Sequence, residues 1–141
     1  MDHSFHYLLM CNQAQFHKKL LDQLKGTELT IGQPKILDYL KDHDGANQKE
    51  IACACHIEAG TLTSLLSRME EKGLVQRKML NGNRRTLHVF LTPYGKQLQQ
   101  SVENAFLQLE CQAFHGISAE EQKIFMEIFE RIYENIRKGE S

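Results

Sequence analysis

Hydroxyl side chains and one arginine share a face in the segment from Gly60 to Lys72. At 100° per residue on a helix, the leucines and Met69 fall on one side and the small polar residues on the other. Hydroxyls bind phosphate oxygens or base edges, and an arginine can form two hydrogen bonds with guanine. The polar face therefore fits a DNA major groove, although taken alone it is more typical of an ordinary solvated helix. Its candidate contact residues are Thr61, Thr63, Ser64, Ser67 and Arg68.

The charge distribution favours the nucleic-acid interpretation. Residues 61–96 hold seven Lys or Arg and two Glu, a net charge of +5, within a chain of 141 residues whose net charge is -1. The other residues therefore carry -6. This asymmetry is typical of a basic DNA-reading half joined to a neutral or acidic dimerisation half. Arg84 and Arg85 directly follow a predicted turn, Asn81-Gly82-Asn83, from which their side chains can reach a phosphate or a minor groove.

Hydropathy patterning predicts six helices and one β-hairpin. The second helix is predicted to start at a capping box, Thr30-Ile-Gly-Gln33, and Asn47, Thr92 and Ser118 are predicted N-caps of later helices. The predicted fold class is mainly α with a small β-hairpin wing. Helix, helix, helix and hairpin follow one another from residue 30 to about residue 92, which is the order of a winged helix-turn-helix core.

The flanking helices, in residues 1–25 and 93–139, lie outside this core and carry apolar stripes that need a partner. A second copy of the chain is the simplest partner, because a two-fold dimer buries the same patch twice. The last helix has two adjoining apolar rows, formed by Ile124, Ile128, Ile132 and Ile136 and by Phe125, Phe129 and Tyr133.

Four stretches together resemble the MarR family of bacterial transcription regulators: LTIGQPKILDYL, NQKEIA, AGTLTSLLSRMEEKGLVQRK and NGNRRTLHVFLTPYG. They span about half of the chain. The resemblance implies a single domain over residues 1–141, with a winged helix-turn-helix core flanked by dimerisation helices. It also implies a recognition helix at Gly60 to Lys72 and a wing tip at residues 81–83. Asn83 stands where the family usually has an Asp that pairs with an arginine, so the wing here lacks that charge.

The resemblance implies a homodimeric repressor that releases DNA when a small aromatic ligand binds. Its partner would be double-stranded DNA with a pseudo-palindromic operator, read by two recognition helices about one helical turn apart. Arg68 is the best candidate for a base contact, Asn83, Arg84 and Arg85 would serve the wing, and the third helix would touch phosphates at its start. The candidate phosphate contacts are Asn47, Gln48 and Lys49.

A thiol-based oxidant sensor is an alternative, with Cys11, Cys53 and Cys111 as candidate redox residues. A zinc site needs three or four protein ligands in suitable geometry. Cys53-Ala-Cys55-His56 offers two thiols and one imidazole, but no second ligand cluster lies nearby in the sequence, and the two cysteines are two apart on a helix and point in different directions. Packing is therefore favoured for this cluster, and by the family pattern Cys55 takes a core aliphatic position. No metal and no cofactor are predicted.

Two other function classes are weaker. A winged helix that only binds other proteins would not need basic residues on both the wing and the helix. An enzyme needs a converging nucleophile, base and oxyanion site, and acid pairs such as Glu70-Glu71 are predicted to lie on exposed helix faces.

His88, in a wing strand, is expected to face solvent or DNA. The chain has no apolar run that could cross a bilayer and no pattern of a secretory signal, so a cytoplasmic location is expected.

Overall fold

The computed structural model describes residues 2–83 and 85–138. Within them, six helices and one antiparallel hairpin follow one another in winged helix-turn-helix order, which confirms the predicted fold class. The elements are α1 (Phe5–Gln23), α2 (Gln33–Asp42), α3 (Gln48–Cys55), α4 (Ala59–Glu71), β1 (Val75–Met79), β2 (Leu87–Leu91), α5 (Pro93–Ala113) and α6 (Ala119–Arg137).

Three of the helices start at the side-chain caps that the sequence predicts. Asn47 Oδ1 accepts the backbone N–H of Glu50 at 2.8 Å, and Thr92 Oγ1 accepts that of Gly95 at 2.9 Å. Ser118 and Glu121 form a complete capping box at α6. These bonds satisfy N–H groups that have no partner inside the helix, so the caps define where each helix begins.

The start of α2 differs from the prediction. Its N-cap is Gly32, with φ +93°, and the helix begins at Gln33 rather than just after Thr30. One bond of the predicted box is present, because the Thr30 N–H donates to Gln33 Oε1 at 3.0 Å. A β-carbon at Gly32 would lie 2.9 Å from Leu65 Cδ1, so both the left-handed backbone and the packing against α4 favour glycine.

The chain divides into two compact units, Met1–Leu107 and Gln108–Ser141. In the first unit, α2, α3 and α4 pack on one another and on the hairpin around an apolar core. Burying these side chains is the main source of the unit's stability. The large apolar side chains that are essentially inaccessible are Ile36, Leu37, Leu40, Ile51, Leu62, Leu66, Met69, Leu74, Val75, Val89 and Val102.

The hairpin pairs in register from Val75 with Leu91 to Met79 with Leu87. At its tip Asn81 has φ +56° and Gly82 has φ +73°, which confirms the predicted turn. A third segment joins β2 on its other edge, since the Gly45 N–H donates to the Val89 carbonyl at 2.8 Å and the Val89 N–H donates to that of Ala46 at 2.9 Å. The wing is thereby attached to the chain that leads into α3.

In the second unit, α6 contains no buried residue, and both of its apolar rows are largely exposed to solvent. The rings of Phe125 and Phe129 stack with centroids 5.2 Å apart. Apolar side chains of α1, in the first unit, are exposed as well, among them Phe5, Leu8 and Met10. Among the described helices, none has the length and apolar character to cross a membrane.

Candidate nucleic-acid interface

Helix α4, the predicted recognition helix, has the two faces that its sequence predicts. Leu62, Leu65, Leu66 and Met69 are buried in the first unit's core. The candidate contact residues lie on the other side: Thr61, Thr63, Ser64 and Arg68 are exposed, and Ser67 is half-buried. Small side chains on this face leave room for another macromolecule to approach the helix backbone.

Arg77, on β1, organises this face. The sequence patterns did not single it out as a functional residue, since there it is only one of seven basic residues. Its side chain is only 17% exposed, because it turns inward against α4. A signal was present: Arg77 lies seven residues after Glu70, across the helix end at Gly73, where a strand folds back along the helix.

Glu70 holds Arg77 by three hydrogen bonds. The Arg77 backbone N–H donates to Glu70 Oε2 at 3.0 Å, and Arg77 Nε and Nη2 donate to Oε1 at 3.3 and 3.0 Å. These bonds, the backbone one first, hold the pKa of the Glu70 carboxyl below its ordinary value. Glu70 is predicted on an exposed face; 39% of its side chain is exposed, and its carboxylate has a cationic partner from the adjacent strand.

The same guanidinium group reaches two of the candidate contact residues. Arg77 Nη2 donates to Ser67 Oγ at 3.2 Å, and Nη1 donates to Gln48 Oε1 at 3.5 Å. Gln48 Nε2 in turn donates to Thr63 Oγ1 at 3.4 Å. One network therefore connects α3, α4 and β1 on the side of the unit that carries the hydroxyl groups.

The other two residues predicted at the start of α3 are placed differently. Asn47 is half-buried, and its side chain caps α3 while its Nδ2 donates to Glu50 Oε1 at 2.7 Å. Lys49 is exposed, with its ammonium group available to an anion.

Asn83 orders the wing without a charge. Its Oδ1 accepts the backbone N–H of Arg85 at 3.0 Å, and its Nδ2 donates to Thr86 Oγ1 at 3.2 Å. Arg85 is exposed, and Arg84 lies outside the described residues. Lys78, next to Arg77 on β1, stands over the ring of Phe90, 5.4 Å from its centroid, and adds a further cation to the hairpin.

His88 does not face solvent or DNA as predicted. It is half-buried, and its Nδ1 lies 2.8 Å from the carbonyl oxygen of Gly45. Because a carbonyl only accepts, Nδ1 carries the proton in this bond. The ring therefore holds the wing against the segment before α3.

Comparison with known proteins gives the family. The model of the MarR family matches residues 29–87. The HTH-type transcriptional regulator SarZ of Staphylococcus epidermidis is 32% identical over 107 residues, which cover 71% of this chain and 72% of SarZ. The chain belongs to the MarR family. It is thus a DNA-binding transcriptional regulator, and its relatives are regulators rather than enzymes.

Solved structures show that the MarR-family fold extends over almost the whole chain. The transcriptional regulator PA3341 has a TM-score of 0.85 with 28% identity, covering 96% of this chain and 99% of its own. MepR from S. aureus, solved as a complex with DNA, has a TM-score of 0.87 with 24% identity and the same two coverages.

The cysteines of this MarR-family chain occupy different environments. Cys55 is buried, as the packing interpretation predicts, and its burial raises the pKa of the thiol. Cys53 and Cys111 are exposed and Cys11 is half-buried. A side-chain hydrogen bond between Cys11 and Tyr7, one turn earlier on α1, raises the pKa of the Tyr7 phenol. No group of three or more His, Cys, Asp or Glu suited to a metal ion is found among residues 2–83 and 85–138.

Proposed function

We propose that this MarR-family chain is a homodimeric, sequence-specific repressor that binds a pseudo-palindromic operator and is released by a small-molecule ligand. The observation that carries the DNA-reading part is the two-sided character of α4. Four apolar side chains anchor one face in the core, while Thr61, Ser64 and Arg68 stand exposed on the other. The DNA complex of MepR, which has the same fold, supports this use of the winged helix.

The contacts divide by chemistry. Arg68 is the candidate for a bidentate bond to guanine, with Thr63, Ser64 and Ser67 beside it. Lys49 is a phosphate contact at the start of α3. In the wing, Arg84 and Arg85 would approach the adjacent phosphates or minor groove, and Asn83 would hold the backbone that presents them.

Dimerisation is supported by apolar surface that the single chain leaves exposed. On α6, Ile124, Ile128 and Phe129 are each at least 40% exposed. Contiguous exposed apolar patches are rare on monomeric proteins and mark interaction surfaces. We assign residues 1–25 and 93–139 to dimerisation and residues 30–92 to DNA reading. A two-fold axis would then place two copies of α4 on successive major grooves.

The release signal is proposed as a small aromatic ligand, with oxidation of a thiol as the alternative. Cys11 favours the alternative most, because it is half-buried beside a phenol. Cys53 and Cys111 are exposed free thiols.

A gel shift of the purified chain on its own upstream promoter DNA tests the proposal, with and without peroxide. Tight binding that weakens with salt is expected for the DNA-reading half. Loss of the shift with peroxide would make a cysteine the sensor, and persistence would direct the search to aromatic ligands. If no duplex in a broad panel is shifted at low salt, the DNA-binding proposal fails, and a protein-interaction module becomes the favoured function.

A further inference from the structure

The hydrogen bonds on the DNA-reading side of the first unit have fixed directions. We define the reading face as the side chains of Gln48, Thr63 and Ser67. A hydroxyl group has one proton to donate and two lone pairs that accept. Which of these remains available to DNA depends on the partners that each hydroxyl already has inside the protein.

Thr63 has no proton left to offer. Its Oγ1 donates to the Ala59 carbonyl at 3.0 Å and accepts from Gln48 Nε2 at 3.4 Å. Toward DNA it therefore presents its methyl group and a single lone pair. It can pack against a thymine methyl, and it cannot donate to a phosphate without breaking the bond to Ala59.

Ser67 has the opposite polarity. Its Oγ accepts from Arg77 Nη2 at 3.2 Å, so the arginine occupies one lone pair and the hydroxyl proton is directed elsewhere. Among the described residues, no protein acceptor takes that proton. Because Ser67 is half-buried and borders solvent, its hydroxyl proton remains available to an acceptor on the solvent side.

Gln48 is oriented in the same way. Its Oε1 faces Arg77 Nη1 at 3.5 Å, so the amide nitrogen is turned to the Thr63 side. One N–H bonds Thr63, and the second N–H remains a donor. An amide that flipped would place its nitrogen against the guanidinium group, donor against donor.

We propose that Arg77 is a positioning residue that makes the reading face a hydrogen-bond donor surface, through which Ser67 and Gln48 select acceptor groups on DNA. The acceptors with this chemistry are phosphate oxygens and the N7 or O6 atoms of purines. This inference rests on the proposed function, in which α4 reads DNA.

Arginine suits this position because its planar group carries several donors in a fixed geometry. Glu70 takes the bonds from Nε and Nη2, and Ser67 and Gln48 take the others. A lysine offers one compact ammonium group and cannot reach three partners in three directions. Arg77→Lys therefore keeps the charge of the site and removes the positioning.

The first experiment defines the probe by selecting duplexes from a random pool with the wild-type chain. Affinity is then measured by fluorescence anisotropy on the selected duplex and on a scrambled duplex of the same composition. For Arg77→Lys, affinity for the selected duplex should fall by roughly fivefold or more, about one hydrogen bond. Affinity for the scrambled duplex should be unchanged if the acceptors are purine atoms and should fall to the same extent if they are phosphate oxygens, which carry no sequence information. The salt dependence should not change in either case, because the charge is retained.

A double-mutant cycle separates positioning from a general loss of fold. Ser67→Ala should weaken binding to the selected duplex in the wild-type background and should have no further effect beside Arg77→Lys. Ser64→Ala is the matched control, since Ser64 lies on the same helix and is exposed, and no protein partner for its hydroxyl is found in the described part of the chain. Its effect should add to that of Arg77→Lys.

Should circular dichroism show that Arg77→Lys is unfolded, Glu70→Gln replaces it in the cycle, because the amide keeps an acceptor for Arg77 without the charge that anchors it. An additive effect of Ser67→Ala in the background used would overturn the inference, as would an unchanged affinity of that background variant for the selected duplex.

Two modified probes identify the acceptor. Purines with carbon at position 7 remove the base acceptor, and methylphosphonate linkages remove the charged phosphate oxygens. The penalty of Ser67→Ala should disappear with one of the two probes, and its persistence with both would contradict donation by Ser67. If the wild-type chain enriches no DNA sequence from the pool, the proposed function fails together with this inference. If it enriches a sequence but the double-mutant cycle is additive, only this inference fails.

Discussion

Gly95 lies so close to Leu74 that a β-carbon added to it would stand 2.0 Å from the Leu74 carbonyl oxygen. The same carbonyl accepts two bonds from Thr92, from its backbone N–H and from its Oγ1, both at 3.1 Å. The first turn of α5 is thus seated directly on the backbone just before β1. This contact explains why the motif Leu91-Thr92-Pro93-Tyr94-Gly95 has glycine as its last residue.

Gly95→Ala should destabilise the fold. The obstacle is a backbone atom held by two hydrogen bonds, so α5 or the strand has to move. We expect a decrease in the free energy of unfolding at the upper end of about 1–3 kcal/mol, measured by urea denaturation. Gly60→Ala is the matched control, because Gly60 is also helical and has nothing within 4 Å of its added β-carbon. That variant should be neutral or more stable, by up to about 1 kcal/mol. Equal stability of the two variants would contradict the close approach.

Acid should weaken the fold partly through Glu70. Its pKa is depressed in the folded chain by the hydrogen bonds from Arg77, below the ordinary value of 4.5. The Glu70 carboxyl therefore binds a proton more readily in the unfolded chain than in the folded chain. The stabilisation of the fold by ionised Glu70 is present above pH 4.5 and is lost as the pH falls through the pKa of the folded state. Glu70→Gln should be less stable than wild type at pH 7 and should lose less stability between pH 6 and pH 3. Thermal melting measures this dependence. If the melting temperatures of the two proteins decrease in parallel from pH 6 to pH 3, the contribution of Glu70 is ruled out.

Arg85→Ala should weaken binding to every DNA sequence. Arg85 is exposed on the wing, and a phosphate contact carries no sequence information. The slope of log affinity against log salt should decrease by about one unit. Lys25→Ala serves as the control, because Lys25 is an exposed cation beyond α1 and outside the proposed interface. Equal salt slopes for the two variants would remove Arg85 from the wing contact.

Ile128→Asp should dissociate the proposed dimer. In each copy, an apolar side chain whose burial contributes about 1.5 kcal/mol or more to the free energy of association would be replaced by a charged one. Because the interface is two-fold, this loss occurs twice per dimer. The dimer dissociation constant should rise at least about a hundredfold, measured by sedimentation equilibrium. Glu127→Gln changes the adjacent exposed residue and should leave the dimer intact. A wild-type chain that sediments as a monomer would refute the assignment of α6 to dimerisation.

Replacing Cys11, Cys53 and Cys111 with Ser, singly, tests the signal. If these thiols only pack, peroxide should affect operator binding by each variant as it affects binding by the wild-type chain, in the same gel shift. Loss of an oxidant response in any one variant would instead identify that thiol as the sensor. The effect of Ser in place of Cys11 is of most interest, because it also removes the hydrogen-bond partner that raises the pKa of Tyr7.

Local patterns in the sequence determined most of the fold. Asn47, Thr92 and Ser118 are predicted caps and act as caps, because a cap depends on a residue and its neighbours three positions away. The two faces of α4 and the hairpin turn were predictable for the same reason. The MarR-like motifs then identified the family, while the roles of the individual DNA-contact residues stay predictions.

The tertiary structure alone decided which polar groups meet. Arg77 and Gln48 are 29 positions apart, and His88 and Gly45 are 43 apart, so no periodicity or short motif connects them. The start of α2 depended on packing too, since Gly32 approaches Leu65 of a later helix. The sequence contained the charge of Arg77, but only the folded hairpin turned that charge inward. Its low exposure follows from the long-range packing of a strand against a helix, which a local pattern does not encode.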